Sequence, residues 1–441
     1  MGKRMELSKY NIFGPIKNSE RYYILNLLTG NADILDKRRG DEILRGEFTT
    51  VEEYAGLGYL VDPAEERALY EQRYGEFLLK RKSEEVQVFF VPWYDCNFSC
   101  SYCYQSGYEV RDAGLDEEVI DGFFRYIETE LRDRNKYITL FGGEPLLLGK
   151  RKELISYFIG ESSRAGIDVA LVTNGYNLAE YLDVLEEGRI REIQVTLDGT
   201  EKVHNRRRML KGGAPTFSRI VEGVDRALEA GLGVNLRVVL DGDNMGELPE
   251  IARFAINRGW TKQSRFKTQL GRNYELHTCQ AGSAKLFSRL EFYGELYELI
   301  QIHPEIVQFH RPAYSLSKFL LENGELPDPL FDACPACKSE WAFDFTGRIY
   351  PCTATVGKEG ESVGTFHPEV KKNEEAIAQW RNRDVTTIPG CEGCPVQLVC
   401  GGGCGSLAKN REGTVFATDC RPEKELIGMG LSLYFNKEVS E

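Results

Sequence analysis

Trp93-Tyr94-Asp95-Cys96-Asn97-Phe98-Ser99-Cys100-Ser101-Tyr102-Cys103 places three cysteines in the spacing Cys-x3-Cys-x2-Cys. Three thiolates on one tight loop cannot complete a [4Fe–4S] cube, whose four irons each take a ligand. One iron is left open to a small chelating molecule. Two competing readings are a zinc knuckle and a set of structural thiols. Structural zinc takes four protein ligands, usually from Cys-x2-4-Cys pairs combined with histidines or a second pair, and no fourth ligand lies near this loop.

The loop directly follows Val86–Val91, a β-rich run, and from there strands alternate with amphipathic helices. Further strands are predicted at Tyr137–Phe141, Val169–Thr173, Ile193–Leu197, Val234–Leu240 and Arg265–Leu270. Between them, Val119, Ile120, Phe123, Phe124, Ile127 and Leu131 recur at helical spacing, as do Ile220, Val221, Val224 and Leu228. Such alternation implies right-handed βαβ units, a parallel sheet and an α/β fold. In parallel α/β folds chemistry gathers at the C-terminal ends of the strands, where the cysteine loop sits. The second strand end carries Phe141-Gly142-Gly143-Glu144-Pro145-Leu146. Its glycines let backbone approach a ligand closely, and the Glu144 carboxylate can accept hydrogen bonds from an ammonium group. Later strand ends carry Thr173-Asn174-Gly175 and Thr196-Leu197-Asp198-Gly199, followed by His204 and Arg208. Read alone, Gly-Gly-Glu-Pro is also an ordinary turn, Asp198 a turn cap and Arg208 a solvated charge.

The cysteine loop, with the aromatic Tyr102 just before its third cysteine, and the Gly-Gly-Glu-Pro turn resemble the S-adenosylmethionine (SAM) site of radical SAM enzymes. The resemblance implies a partial, open (β/α)6 TIM-like barrel over residues 86–302. It implies that Cys96, Cys100 and Cys103 hold a [4Fe–4S] cluster, with Tyr102 beside it. The turn Gly142, Gly143, Glu144, Pro145 would hold the amino group of SAM, Asn174 would form the third-strand polar turn, and Thr196, Asp198 and Arg208 would face its carboxylate and ribose. The implied chemistry is reductive cleavage of SAM to a 5′-deoxyadenosyl radical that abstracts hydrogen from a substrate, so the chain is expected to be an enzyme.

Eight of the nine remaining cysteines, from a total of 12, lie between 334 and 420. They read Cys334-x2-Cys337-x9-Gly347-x4-Cys352, then Cys391-x2-Cys394-x5-Cys400-x3-Cys404, then Cys420. Eight thiolates suffice for two fully ligated [4Fe–4S] clusters; a pair of zinc ribbons is the competing reading. The spacing resembles the SPASM extension of radical SAM enzymes, which assigns 330–441 to an auxiliary-cluster domain and brings the clusters to three. By that resemblance Cys334, Cys337, Cys352 and Cys404 hold one cluster, and Cys391, Cys394, Cys400 and Cys420 hold the other. Cys279 is left over and reads as a small buried hydrophobe.

A chain of 441 residues has room for two to three domains. Residues 1–85 read as a small α+β module, with Tyr22–Leu28 and Ala32–Leu35 flanking the turn Thr29-Gly30-Asn31 and a helix from Pro63 to Lys82. Residues 303–329, with Pro304, Pro312, Pro327 and Pro329, read as a linker. A net charge of −13 argues against nucleic-acid binding and against an anionic membrane surface. No run of apolar residues suits a membrane span or a secretory signal, and twelve cysteines without an export signal point to metal in a reducing cytoplasm. Radical SAM enzymes with SPASM extensions mostly act on peptides or proteins. The resemblance therefore implies a peptide or small-protein partner and an electron donor such as a flavodoxin or ferredoxin; the N-terminal module reads either as a dock for a leader peptide on a strand edge or as a structural cap on the barrel. Maturation of a ribosomally made peptide by a thioether or other cross-link is the favoured expectation. Oxidation of a sulfatase residue to formylglycine is the alternative, for which an aspartate is expected directly after the cysteine of the Gly-x4-Cys element; here Thr353 follows Cys352. A non-catalytic electron carrier would need no Gly-Gly-Glu-Pro.

Overall fold

The computed structural model describes residues 5–105, 114–273 and 286–435; Cys279 lies outside them. Six strands, β1 (Val86–Val91), β2 (Lys136–Leu140), β3 (Asp168–Thr173), β4 (Ile190–Thr196), β5 (Val234–Leu240) and β6 (Phe266–Arg272), lie in sequence order with every neighbouring pair parallel. Their alternation explains the layering. Val86, Val88 and Phe90 of β1 turn to the helical face and are fully buried, while Gln87 and Phe89 face the other way. On that helical face Phe90 meets Phe123 at 4.7 Å and Phe158 at 5.0 Å, which joins the helices Glu117–Glu130 and Lys150–Arg164 to the sheet. The first of these helices starts at Asp116, whose side chain accepts the Val119 N–H at 2.9 Å. It buries Val119, Ile120, Phe123, Phe124 and Ile127, five of the six residues its periodicity selected; the sixth, Leu131, is the half-buried C-cap.

The sheet does not stop at β1. Strand β7 (Glu340–Asp344) pairs parallel to β1, with Trp341 opposite Val88 and Asp344 opposite Val91, and β8 (Arg348–Tyr350) turns back antiparallel. Two further two-residue strands bring the sheet to ten. The cysteine-rich region thus contributes an edge to the barrel sheet, a pairing that no local pattern in the sequence reveals.

Near the N-terminus, Asn11–Pro15, Tyr22–Asn26 and Asn31–Leu35 form an antiparallel sheet in which Asn26 faces Asn31 across the expected turn. Asn26 Oδ1 accepts the Leu28 N–H at 2.9 Å, and Gly30 takes φ +80°. The helix Pro63–Ser83 starts on Asp62, whose side chain accepts the Ala64 and Glu65 N–H groups. Its Tyr70, Tyr74 and Phe77 surround the fully buried Phe331. Tyr10, Ile12 and Tyr23 share one core with Phe331, Cys391 and Leu398, so this module packs on the cysteine-rich region rather than standing apart from it. Residues 303–329 hold two short helices, Ile306–Phe309 and Ser317–Asn323, and bury Ile306 and Tyr314. The proline-rich stretch is therefore built into the body of the protein. Among the described residues no helix is long and apolar enough to cross a membrane.

Candidate functional site

The cysteine loop leaves the C-terminal end of β1 and is braced on two sides. On one side Phe98–Cys100 pairs antiparallel with Arg208–Leu210, placing Cys100 opposite Arg208. On the other the Gly142-Gly143-Glu144 turn presses against it: Gly143 N–H donates to Trp93 O at 3.2 Å and Glu144 N–H to Asp95 O at 2.9 Å. A side chain at Gly143 would place its first carbon 2.0 Å from Asp95 O, so only glycine fits. Burial pushes the Asp95 carboxyl up, but hydrogen bonds from Arg151 at 2.8 Å and Lys211 at 3.1 Å outweigh it and hold it below the usual carboxylate range. Asp95 Oδ1 also accepts the Cys96 N–H at 2.8 Å, which fixes the start of the loop.

Glu144 is 1% exposed. Its carboxylate accepts from Leu146 N–H at 2.9 Å, Thr173 Oγ1 at 2.5 Å and Asn174 N–H at 2.6 Å. Burial nevertheless pushes its pKa up, because those three bonds only partly replace lost water. A carboxylate offers about four acceptor sites, so a buried, under-compensated anion retains capacity for a cation, and the donor chemistry fits an ammonium group. Pro145 is buried behind it. Asn174 Nδ2 donates to Asn97 Oδ1 at 2.7 Å and approaches Cys96 Sγ at 3.8 Å, which ties the third strand end to the loop. Asn97 was not singled out in the sequence; an asparagine inside a cysteine loop carries no signal that separates it from a turn residue.

Asp198 is fully buried and turned inward. It accepts the Val239 N–H at 2.9 Å and the Tyr102 hydroxyl at 2.5 Å, with Arg207 Nε at 3.6 Å. Arg208 Nη1 donates to the same Tyr102 oxygen at 2.6 Å. The Asp198–Tyr102–Arg208 chain therefore holds the third cysteine's neighbour, and the Asp198 side chain faces protein on every side that these contacts define. Arg208 Nε has no hydrogen-bond partner among the described residues. Burial pushes the Cys100 thiol up, and nearby Arg208 offsets only part of that rise. Thr196 ends β4, buried and in register with Arg237 of β5. His204 is also buried, and its Nδ1 accepts the Asp198 N–H at 3.2 Å.

The other thiols gather in two sets. Burial pushes Cys352 up, with Glu340, Cys334 and Cys404 adding to the rise, and Cys334 likewise acts on Cys337. Burial pushes Cys391 up to about 11, with Cys400, Cys394 and Cys420 as its thiol neighbours. Cys404 thus neighbours Cys352 and Cys334, while Cys400, at the other end of the same short loop, neighbours Cys391. Among the described residues no three His, Cys, Asp or Glu side chains converge as the ligands of a single ion would. Soft, all-sulfur sets fit iron–sulfur clusters, in which each thiolate holds its own iron. Beside Cys352, the N–H and hydroxyl of Thr353 both donate to Glu340 Oε1, at 2.7 and 3.0 Å.

Residues 90–255 match the profile of the Radical SAM superfamily. The chain carries a radical SAM domain. Among curated proteins, that named GTP 3′,8-cyclase from Nautilia profundicola is 32% identical over 38% of this chain and 51% of its own length, and the Helicobacter pylori protein of the same name is 29% identical over 58% and 77%. The chain spans about half the length of the curated relatives it first matches. Among solved structures, anSMEcpe with bound AdoMet and Cp18Cys peptide superposes with TM-score 0.62 at 18% identity, covering 80% of this chain and 99% of that one. Streptococcus suis SuiB bound to precursor peptide SuiA superposes with TM-score 0.54 at 15% identity, covering 95% and 99%. The radical SAM fold here is thus the fold of known AdoMet-bound structures, and the cysteine-rich C-terminus fits an auxiliary-cluster domain.

Proposed function

We propose that this radical SAM enzyme uses SAM, bound at a [4Fe–4S] cluster on Cys96, Cys100 and Cys103, to supply a 5′-deoxyadenosyl radical that abstracts hydrogen from a ribosomally made peptide, installing a thioether, another cross-link or a related oxidation. The observation that carries this reading is the docking of the Gly142-Gly143-Glu144 turn on the cysteine loop. Glu144 orients the amino group of SAM, Tyr102 and Arg208 flank the cluster's third ligand, and Asp198 positions Tyr102. Cys334, Cys337, Cys352 and Cys404 hold one auxiliary cluster in a SPASM-type domain; Cys391, Cys394, Cys400 and Cys420 hold a second. A flavodoxin or ferredoxin in a reducing cytoplasm is the electron source. The peptide partner is supported by fold neighbours that were solved with peptides bound, and a leader peptide would dock on the N-terminal sheet.

Two observations favour other substrates. The curated relatives are named for GTP, although the match spans about half of the first of them. Glu340 brings a carboxylate to Thr353, where the formylglycine reading expects an acid. One experiment separates all three. The enzyme, reconstituted anaerobically with dithionite and SAM, is offered GTP, a sulfatase-derived cysteine peptide, or the short peptides encoded beside its own gene, and 5′-deoxyadenosine is counted against modified product. Coupled turnover of an adjacent peptide is expected. Product from GTP alone, or 5′-deoxyadenosine in equal yield from Cys100→Ala, overturns the proposal.

A further inference from the structure

The cysteine loop has a second face, turned away from Cys100. In the antiparallel pair Phe98–Cys100 with Arg208–Leu210, side chains alternate between the two sides of the ribbon. Phe98, Cys100 and Arg208 turn inward and are buried or half-buried, whereas Ser99 and Met209 turn outward, with Ser99 exposed. Ser101, also exposed, continues the outer row, and its N–H donates to Arg207 O at 2.9 Å. One layer of backbone therefore separates solvent from the Cys100 side chain.

That layer is framed by cations in a chain whose net charge is −13. From Lys202 to Val221, between Glu201 and Glu222, there are six lysines and arginines and no acid. Three of the six are committed within the fold: Arg207 to Asp241, Arg208 to Tyr102 and Arg219 to Glu180. Lys202 and Arg206, four residues apart on the helix Glu201–Arg207, are exposed and have no ion-pair partner among the described residues. Lys211 lies at the other end of the ribbon and is 58% exposed. It shares Asp95 with Arg151, so two cations meet one carboxylate there. Lys150, beside Arg151, is exposed and likewise unpaired among the described residues. The field of such a rim reaches about 8–10 Å into solvent and speeds encounter with a protein of opposite charge.

Position selects that protein. On the proposed reading SAM and substrate meet the cluster from the inner side, where Glu144 lies, and the outer face serves neither. What must reach the cluster from outside the molecule is an electron. We propose that the outer face of this ribbon, framed by Lys150, Lys202, Arg206 and Lys211, docks an acidic one-electron carrier protein of the flavodoxin or ferredoxin class. The inference rests on the proposal that Cys96, Cys100 and Cys103 hold a [4Fe–4S] cluster. One electron leaves the reduced carrier and one enters the cluster, which gains one negative charge; no atom is transferred. The thin outer layer with its small Ser99 and Ser101 side chains lets the carrier approach closely, and the basic rim orients it.

The test uses the full reconstituted chain. Lys150→Glu, Lys202→Glu and Arg206→Glu are combined, leaving Lys211 and Arg151 to hold Asp95. The control reverses three exposed lysines elsewhere, Lys37, Lys82 and Lys262, for the same change in net charge. Affinity for an acidic flavodoxin and for an acidic ferredoxin is measured by titration calorimetry at low and high salt. SAM cleavage is then followed with each reduced carrier and, separately, with dithionite. The triple variant is expected to bind the carrier about tenfold or more weakly and to need correspondingly more of it for half-maximal cleavage. High salt should weaken the wild type towards the variant, while the dithionite-driven rate and the control stay at wild type. Glutamine at the same three positions should fall between. Unchanged carrier affinity in the triple variant, an equal loss in the control, or a wild type that binds neither carrier would overturn the inference. So would unchanged carrier affinity joined to weaker peptide modification under dithionite, which gives the face to an acidic peptide. A wild type that forms no 5′-deoxyadenosine even with dithionite refutes the radical SAM reading instead, while calorimetry still decides the docking face.

Discussion

Gly143→Ala tests whether the second strand end sets the geometry of the cysteine loop. The added carbon would stand 2.0 Å from Asp95 O and 2.6 Å from Tyr94 O. Both are backbone atoms, so no side-chain rotation relieves the clash, and reaching ordinary contact needs a displacement of about 1 Å or more. The atom that must move belongs to the residue before Cys96. Two hydrogen bonds joining turn and loop, Gly143 N–H to Trp93 O and Glu144 N–H to Asp95 O, stretch with it. At about 1 kcal/mol each, added to roughly 1–3 kcal/mol for overpacking, the local cost is about 3–5 kcal/mol. Metal ligands tolerate shifts of roughly 0.2 Å, so Cys96 leaves its place before the fold is lost. Iron analysis after reconstitution should show Gly143→Ala losing the same complement of iron as Cys100→Ala, with SAM binding abolished and far-UV circular dichroism unchanged. Gly149→Ala is the control: unlike Gly143 it has positive φ, +73°, but open space around it, so it meets backbone strain without a clash on the cysteine loop and should load normally. A Gly143→Ala protein that binds iron and SAM like the wild type would refute the argument from close approach.

Tyr102→Phe removes the hydroxyl shared by Asp198 and Arg208 and leaves both charges short of a partner. Urea unfolding should show a loss of about 2–4 kcal/mol, and a change under about 0.5 kcal/mol would mean the chain of contacts is not formed. His204 is held neutral: burial pushes its pKa well below 6.5, and the nearby Arg208 and Arg207 add to this. The unfolded chain therefore takes up a proton first, so this contribution to stability is intact above about pH 6.5 and drains away as pH falls below it. His204→Gln should flatten that part of the stability–pH curve, and a curve as steep as wild type would contradict it. Gly75 lies mid-helix in Pro63–Ser83 with nothing near its missing side chain; Gly75→Ala should raise stability by about 0.5–1 kcal/mol, read as a higher urea midpoint.

What was legible in the sequence was local. Strands β1 and β5 begin and end where the hydrophobic runs do, and the Thr29-Gly30-Asn31 turn closes its hairpin because Asn26 caps it and Gly30 takes positive φ. The short cysteine spacings were visible in the sequence, but which distant thiols lie together, such as Cys404 beside Cys334 and Cys352, comes from the fold. Less visible were contacts between distant segments. Glu340-Trp341-Ala342-Phe343-Asp344 joins β1, some 250 residues upstream, and its short apolar run is the same in a core strand or a domain of its own. The inward turn of Asp198 was equally hidden, since its three partners come from Tyr102, Arg207 and Val239.

Those distant contacts alter how the cysteine-rich region should be understood. Phe331 lies under three aromatics of the helix Pro63–Ser83, Tyr74 donates to Asp384 at 2.7 Å, and Arg81 pairs with the buried Asp332 at 2.7 Å. Asp384 directly follows Arg383, and Asp332 also holds Lys338, whose ammonium donates to the Arg383 carbonyl at 2.9 Å. The N-terminal helix, the Cys391 thiol set and the buried Arg383 are thus connected through one apolar core and one polar network. Under the proposed cluster assignment, metal binding at Cys400 and Cys404 would then stabilise the helix as well, and a ligand that shifts the N-terminal module would act on that loop. Beneath both, β7 ties the region to β1, the strand from which the cysteine loop departs. A continuous sheet therefore joins β7 and β8 to that strand, so the placement of the Cys352 turn relative to Cys96 is set by strand pairing rather than by a flexible link.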